Sequence, residues 1–218
     1  MPPLHGLPTS PDLAPGHARP RRTGVAAVLV AVALAAGGCG GSDSSSPGAG
    51  QTPSATFGGN PPMATTLKLD RVVGDLKKRY HHRFKSHEKS LRKHVRQAVD
   101  SWFDGGFVGV SYPRSDFATA FSSFTPGAKH DARAQQRLMT NWKWRKQIDG
   151  VATVKRTVSL DVLAPHGRPA GVTAYVVLKF TTSGQVHKKV TVTGRLFLTK
   201  DAKGSWRIFG YDVSKGAK

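Results

Sequence analysis

The stretch VTAYVVLKFTT at residues 172–182 places Val172, Ala174, Val176, Leu178 and Phe180 at every second position. Period two over this length, rich in β-branched and aromatic side chains, predicts a strand with one buried face. The pattern recurs on both sides. Upstream, Val154, Arg156, Val158, Leu160 and Val162 alternate with Lys155, Thr157, Ser159 and Asp161, and residues 165–169 (PHGRP) make the intervening loop. Downstream, Ser183-Gly184 is a turn, and residues 188–199 turn Val190, Val192, Leu196 and Leu198 inward, with Gly194 expected as a bulge. Residues 201–204 read as a hairpin turn, and residues 205–213 as a fourth strand. Four sequential strands joined by short turns predict an antiparallel meander.

Ahead of the meander the period lengthens. Leu69, Val72, Leu76, Tyr80, Phe84, Leu91, Val95, Val99 and Trp102 recur at three and four, with Glu88 filling one gap. This predicts a single amphipathic helix over residues 67–106, bent or split at Gly74 and stopped by Asp104-Gly105-Gly106. Its polar side carries Lys77, Lys78, Arg79, Arg83, Lys85, Lys89, Arg92, Lys93 and Arg96, with few acids among them. Residues 107–140 read as turns and short helices: a turn at Tyr112-Pro113, an aromatic helical piece with Phe117, Phe121 and Phe124, a break at Pro126-Gly127 and a helix over 128–139. Helices first and a meander after predict an α+β domain with the helices on one face of the sheet.

The N-terminal part has a different character. Arg21-Arg22, an apolar run over residues 24–36, and Gly37-Gly38 before Cys39 follow the order of a positive region, an apolar region and small residues at a cleavage point. With a cysteine directly after the small pair, the segment resembles a bacterial lipoprotein signal. Ala36 departs from that family's preference for Leu three residues before the cysteine. The resemblance implies a signal peptide over residues 1–38, cleavage after Gly38, and lipid attachment at Cys39. The protein would then be held by lipid on the extracytoplasmic face of the cell membrane. An uncleaved signal anchor is the alternative, although a membrane-spanning helix needs about 20 apolar residues. Residues 39–66, rich in Gly, Ser, Pro and Thr, read as a disordered tether.

Cys39 is the only cysteine and the net charge is +20. Once it is lipidated, neither a disulfide nor thiolate zinc ligation is open to the mature chain, so its stability must come from the core. Charge of this size bears on partners. Outside the membrane these are anionic lipids or wall polymers, while the compartment argues against nucleic acid. A basic patch beside a lipid chain supplies the second signal that firm anchoring requires. The opposite reading is a solvated face without a partner. Among nine histidines, His81, His82, His87 and His94 fall on the basic helix, but no two are three or four apart. No metal and no cofactor is expected.

The order of elements carries a second resemblance. A long helix ending in Trp102-Phe103-Asp104-Gly105 is followed by a short aromatic stretch. A sheet then closes with Gly204-Ser205-Trp206-Arg207-Ile208 and Tyr211. Over about residues 90–215 this resembles the nuclear transport factor 2-like superfamily, including exported mammalian-cell-entry-associated proteins of high-GC Gram-positive bacteria. The resemblance implies a curved four-stranded meander wrapped around helices as a cone, with an apolar mouth. Tyr112, Phe117, Phe121, Phe124, Trp206 and Tyr211 are candidate pocket residues, with Trp142 and Trp144 beside them; a plain core is the alternative. Some family members are ketosteroid isomerases or polyketide cyclases, which need a carboxylate base and a hydrogen-bond donor. Here Asp116 or Asp161 could supply the base, and Tyr112, Tyr175 or Tyr211 the donor. Asp116 also reads as a helix N-cap, and Asp161 alternates outward. A binding or assembly module at the cell envelope, or a subunit of an envelope transport complex, fits better than an enzyme, since fold alone does not select an activity.

Overall fold

The structure, a computed structural model, describes residues 63–74, 77–109 and 111–218. The expected signal and the tether up to residue 62, Gly38 and Cys39 included, and Leu76 of the expected helix lie outside the described residues. The last residues of the expected tether are ordered, with Thr65 buried and Thr66 opening a strand. The described chain is α+β, with a long helix packed on a mixed five-stranded sheet of order β1-β2-β3-β4-β5. The strands are β1 (Thr66–Val73), β2 (Ile148–Leu163), β3 (Gly171–Gly184), β4 (Lys189–Lys200) and β5 (Trp206–Ala217). β2 to β5 are antiparallel neighbours in chain order.

One strand was not expected. Residues 66–73 pair with β2 in parallel instead of opening the helix, so the sheet has five strands instead of four. The misreading has a local cause. The register skips Asp70, between Leu69 paired with Leu160 and Arg71 paired with Asp161. Leu67, Leu69 and Val72 therefore all pack toward the core although two of them are three apart. A bulge in a strand has imitated helical spacing. The break does fall at Gly74, and α1 (Lys78–Phe103) begins beyond it.

α1 buries Phe84, Leu91, Val95, Ala98, Val99, Trp102 and Phe103, the stripe that the three-four spacing marks out, with Tyr80 half-buried at its start. Asp104-Gly105-Gly106 does not stop it. The helix widens into a π-helical turn over Asp104–Val108. A Cβ on Gly105 would lie 2.5 Å from the Ala120 Cα, so this glycine serves close approach to the 3₁₀ turn at Ala118–Phe121, not termination. The expected helix over 128–139 is two pieces, α2 (Pro126–Ala134) and α3 (Gln136–Met139). Pro126 starts the first, where its missing N–H costs nothing.

In the meander Val172, Ala174, Val176, Leu178, Phe180, Val190, Val192, Leu196 and Leu198 are all buried. One row, Leu69–Leu160–Ala174–Leu196–Tyr211, crosses all five strands in register. Two expectations fail here. Val154 is exposed, because a register shift between Thr153 and Lys155 turns it out. Gly194 is not a bulge: it pairs in register with Val176 and Val213, and a Cβ there would sit 2.2 Å from the Asp212 carbonyl oxygen. The irregularity lies on β5, where Phe209 is the extra residue opposite Phe197 and Leu198.

Arg156 continues the inward face of β2 and is buried. Its guanidinium donates to the carboxylates of Asp100 at 2.8 Å and Asp104 at 2.6 Å, at the end of α1. The Thr65 hydroxyl donates to the same Asp100 carboxylate at 2.5 Å. Three segments distant in sequence are thereby joined around one cation, and multiple charge-assisted bonds offset the desolvation of that cation.

Candidate functional site

The basic side of α1 is the most charged surface described. Lys77, Lys78, Arg79, Arg83, Lys85, Lys89, Lys93 and Arg96 are exposed and Arg92 is half-buried. Their placement follows from the helix itself, since the apolar stripe is consumed by the core and the remaining positions must face water. Glu88 is the single acid between Lys78 and Val99. Its carboxylate accepts from Lys85 at 3.0 Å and from Arg92 at 2.7 Å. The hydrogen bond from Lys85, and then that from Arg92, hold it below the usual carboxylate range. Arg79 stacks over the Tyr80 ring at 4.5 Å. At the start of α1, Tyr80 and Arg83 border an open depression of about 590 Å³ with His166 and Arg168 on its other side.

The candidate pocket residues do not assemble into one pocket. Phe117, Phe121, Phe124 and Trp206 are buried in the core. Phe121 meets Phe124 edge-on at 5.5 Å, and Phe124 meets Tyr211 at 6.2 Å. The Tyr112 hydroxyl donates to the Phe107 carbonyl at 2.7 Å and accepts from the Asn141 amide at 3.0 Å. Burial pushes its pKa up. Tyr211 borders a small surface depression of about 300 Å³ with Asp131 and Phe209. Burial, and then the Asp131 charge, push its hydroxyl up. Trp142 and Trp144 are half-buried at the rim of the core.

Neither proposed base has the environment that carbon-acid chemistry needs. Asp116 is exposed and accepts from the Ala118 N–H at 2.9 Å, a local turn role close to the expected cap. Asp161 does meet a candidate donor, the Tyr175 hydroxyl at 3.3 Å. The pair lies on the outer face of the sheet, with Arg71 on the same carboxylate at 2.6 Å. Asp161 is committed to that ion pair and does not face an apolar cavity in which a substrate could sit. The helix histidines are exposed, and the His94 ring lies 2.8 Å from the Ser90 carbonyl. Among the described residues no three His, Cys, Asp or Glu side chains gather as a metal site, and no helix is long and apolar enough to cross a membrane.

Three polar groups escaped the sequence reading. Arg156 stood in an apolar alternation, and that misplaced charge was the available signal. Asn141 is fully buried and bonds the Phe107 carbonyl at 2.9 Å; nothing in its neighbourhood of sequence marks it. Lys215, past the expected end of β5, donates to the Arg137 and Thr140 carbonyls and lies 5.5 Å from the Trp144 ring. Burial, and then the charge of Lys143, pull its pKa down to about 8. An unfolded lysine titrates near 10.4. Below pH 8 both states hold the proton and the buried charge costs stability. Between pH 8 and 10 the folded state releases it first, so stability rises with pH. The expected gain is roughly 1–3 kcal/mol, read by urea unfolding at pH 7 and 10. Lys215→Met is expected to flatten it; an unchanged slope in that variant would assign the effect elsewhere.

Comparison of the chain with protein-family models, with curated proteins and with solved structures gives no match.

Proposed function

We propose that this chain is an exported lipoprotein, tied to the membrane through Cys39, whose folded part is a nuclear transport factor 2-like module for binding or assembly at the cell envelope. The supporting observation is how α1 is used. Its apolar stripe is wholly committed to the core, and its other side offers a run of cations with one carboxylate among them. Such a surface favours an anionic partner. The interior supports binding over catalysis. Trp102, Phe103, Phe107, Phe121, Met139 and Phe180 fill the space between helix and sheet, where the related fold would open a ligand cavity. Phe117, Phe121, Phe124 and Trp206, expected to line such a cavity, are packing residues here.

The anchor is tested by fractionation. Cys39→Ala is expected to move the protein from the membrane pellet to the soluble fraction after a high-salt wash, which screens any contribution of the basic helix. Full retention after that wash would overturn the lipid attachment.

A further inference from the structure

We infer that the cations of α1 form a single-file track for a flexible linear phosphate polymer, and not a patch for a flat bilayer. This rests on the reading of α1 as the working surface and specifies what that surface holds. Lys78, Lys85, Lys89, Arg92, Lys93 and Arg96 are spaced by seven, four, three, one and three residues. At 3.6 residues per turn they fall within an arc of about 100° on one flank of the helix. His82 occupies the vacant turn between Lys78 and Lys85. The track is about 27 Å long, the rise from Lys78 to Arg96. From Lys85 to Arg96, cations three or four residues apart stand about 5–6 Å from each other, while Lys78 lies about 10 Å before Lys85. Glu88 lies about 40° outside the arc, on the side toward the core, and partly offsets Lys85 and Arg92.

Two features set the track apart from a membrane patch. An interfacial helix holds a bilayer through an apolar face sunk below the headgroups. Here Phe84, Leu91, Val95 and Val99 are at most 2% exposed, so α1 has no apolar face left to insert. The track is also closed at one end. Asp100 follows Arg96 by one turn on the same flank, and Asp104 follows Asp100, both held by Arg156. Negative charge beyond Arg96 limits a bound polyanion to the length of the cationic run. A flat surface would make no such distinction.

Arg79 and Arg83 supply an internal control. They are exposed cations of the same helix that fall outside the arc. The full chain bearing Cys39→Ala is titrated with linear inorganic polyphosphates of graded length, and with vesicles of phosphatidylglycerol and phosphatidylcholine. Affinity is expected to climb with polymer length until the chain spans about 27 Å, and then to level. Lys89→Gln with Lys93→Gln is expected to weaken polymer binding about thirtyfold, and Arg79→Gln with Arg83→Gln by less than about threefold. All four positions are exposed, and a circular dichroism spectrum checks that each variant folds. Equal losses from the two pairs would overturn the track, because only diffuse charge would then matter. Vesicles bound more tightly per phosphate than the polymers would overturn it while leaving an anionic-surface role for α1. A single-stranded oligonucleotide bound more tightly than polyphosphate of equal phosphate count would also overturn it, since bases would then contribute. Binding to none of these probes would remove both the track and the reading of α1 on which it rests.

Discussion

Trp102→Ala is expected to lower the unfolding free energy by about 3–5 kcal/mol, the range for deleting a large buried aromatic ring. The ring is completely buried near the end of α1, 5.3 Å from Phe103 and 5.5 Å from Phe107. Its indole N–H donates to the Met139 carbonyl at 3.0 Å, so it also fastens α3 to α1. Removal leaves both a cavity and a buried carbonyl without its donor. Against a total stability of about 5–15 kcal/mol this is a large fraction. Trp102→Phe keeps most of the volume and loses the hydrogen bond, so about 1–2 kcal/mol is expected. Urea unfolding monitored by circular dichroism measures both. A loss under about 1 kcal/mol for the alanine variant would mean that the core does not close around this ring.

The second large effect belongs to Arg156. Arg156→Ala is expected to cost about 2–4 kcal/mol, the lower part of the span for breaking a buried ion pair. The lower part applies because the carboxylates left behind can reach water: the side chains of Asp100 and Asp104 are 29% and 44% exposed, against 3% for Arg156. For a domain of this size the loss corresponds to a fall in melting temperature of roughly 4–16 °C. A second readout separates this clamp from general loosening. Thr65 shares the Asp100 carboxylate, so limited proteolysis just ahead of β1 is expected to speed up more than cleavage in the β4–β5 turn. Uniform acceleration at both places would show that Arg156 does no more than fill space.

How far the sequence could be read depended on how regular each element is. β3 is unbroken in register against β4, and its alternation named five of its six buried residues, the sixth being Thr182, whose hydroxyl donates to the Val186 carbonyl. β1 and the start of β2 each contain a skipped residue. At β1 that skip converted a period of two into an apparent period of three, and at β2 it left Val154 on the wrong side. Periodicity counts residues, whereas a bulge changes the count without changing the strand. The end of α1 was misjudged for a related reason. Glycine signals a helix stop when judged on the chain alone, but here it is the nearness of Ala120 that excludes a side chain. The cations of α1 were legible as a group; that six of them share one flank while Arg79 and Arg83 do not became apparent only once the helix was known to start at Lys78. The pocket residues were identified correctly as apolar and clustered, yet composition does not distinguish residues that line a hole from those that fill one.

The parallel pairing of β1 has a mechanical corollary. Tension arriving from the N-terminal side enters the body at Thr65 and runs along the axis of an edge strand. The β1–β2 ladder lies across that direction and is loaded in shear, so its bonds share the pull instead of opening one at a time. The grip of Asp100 on Thr65, backed by Arg156, sits at the very point of entry. A globule held against flow by its leading end would thus be tugged along the direction in which its first strand is hardest to peel away.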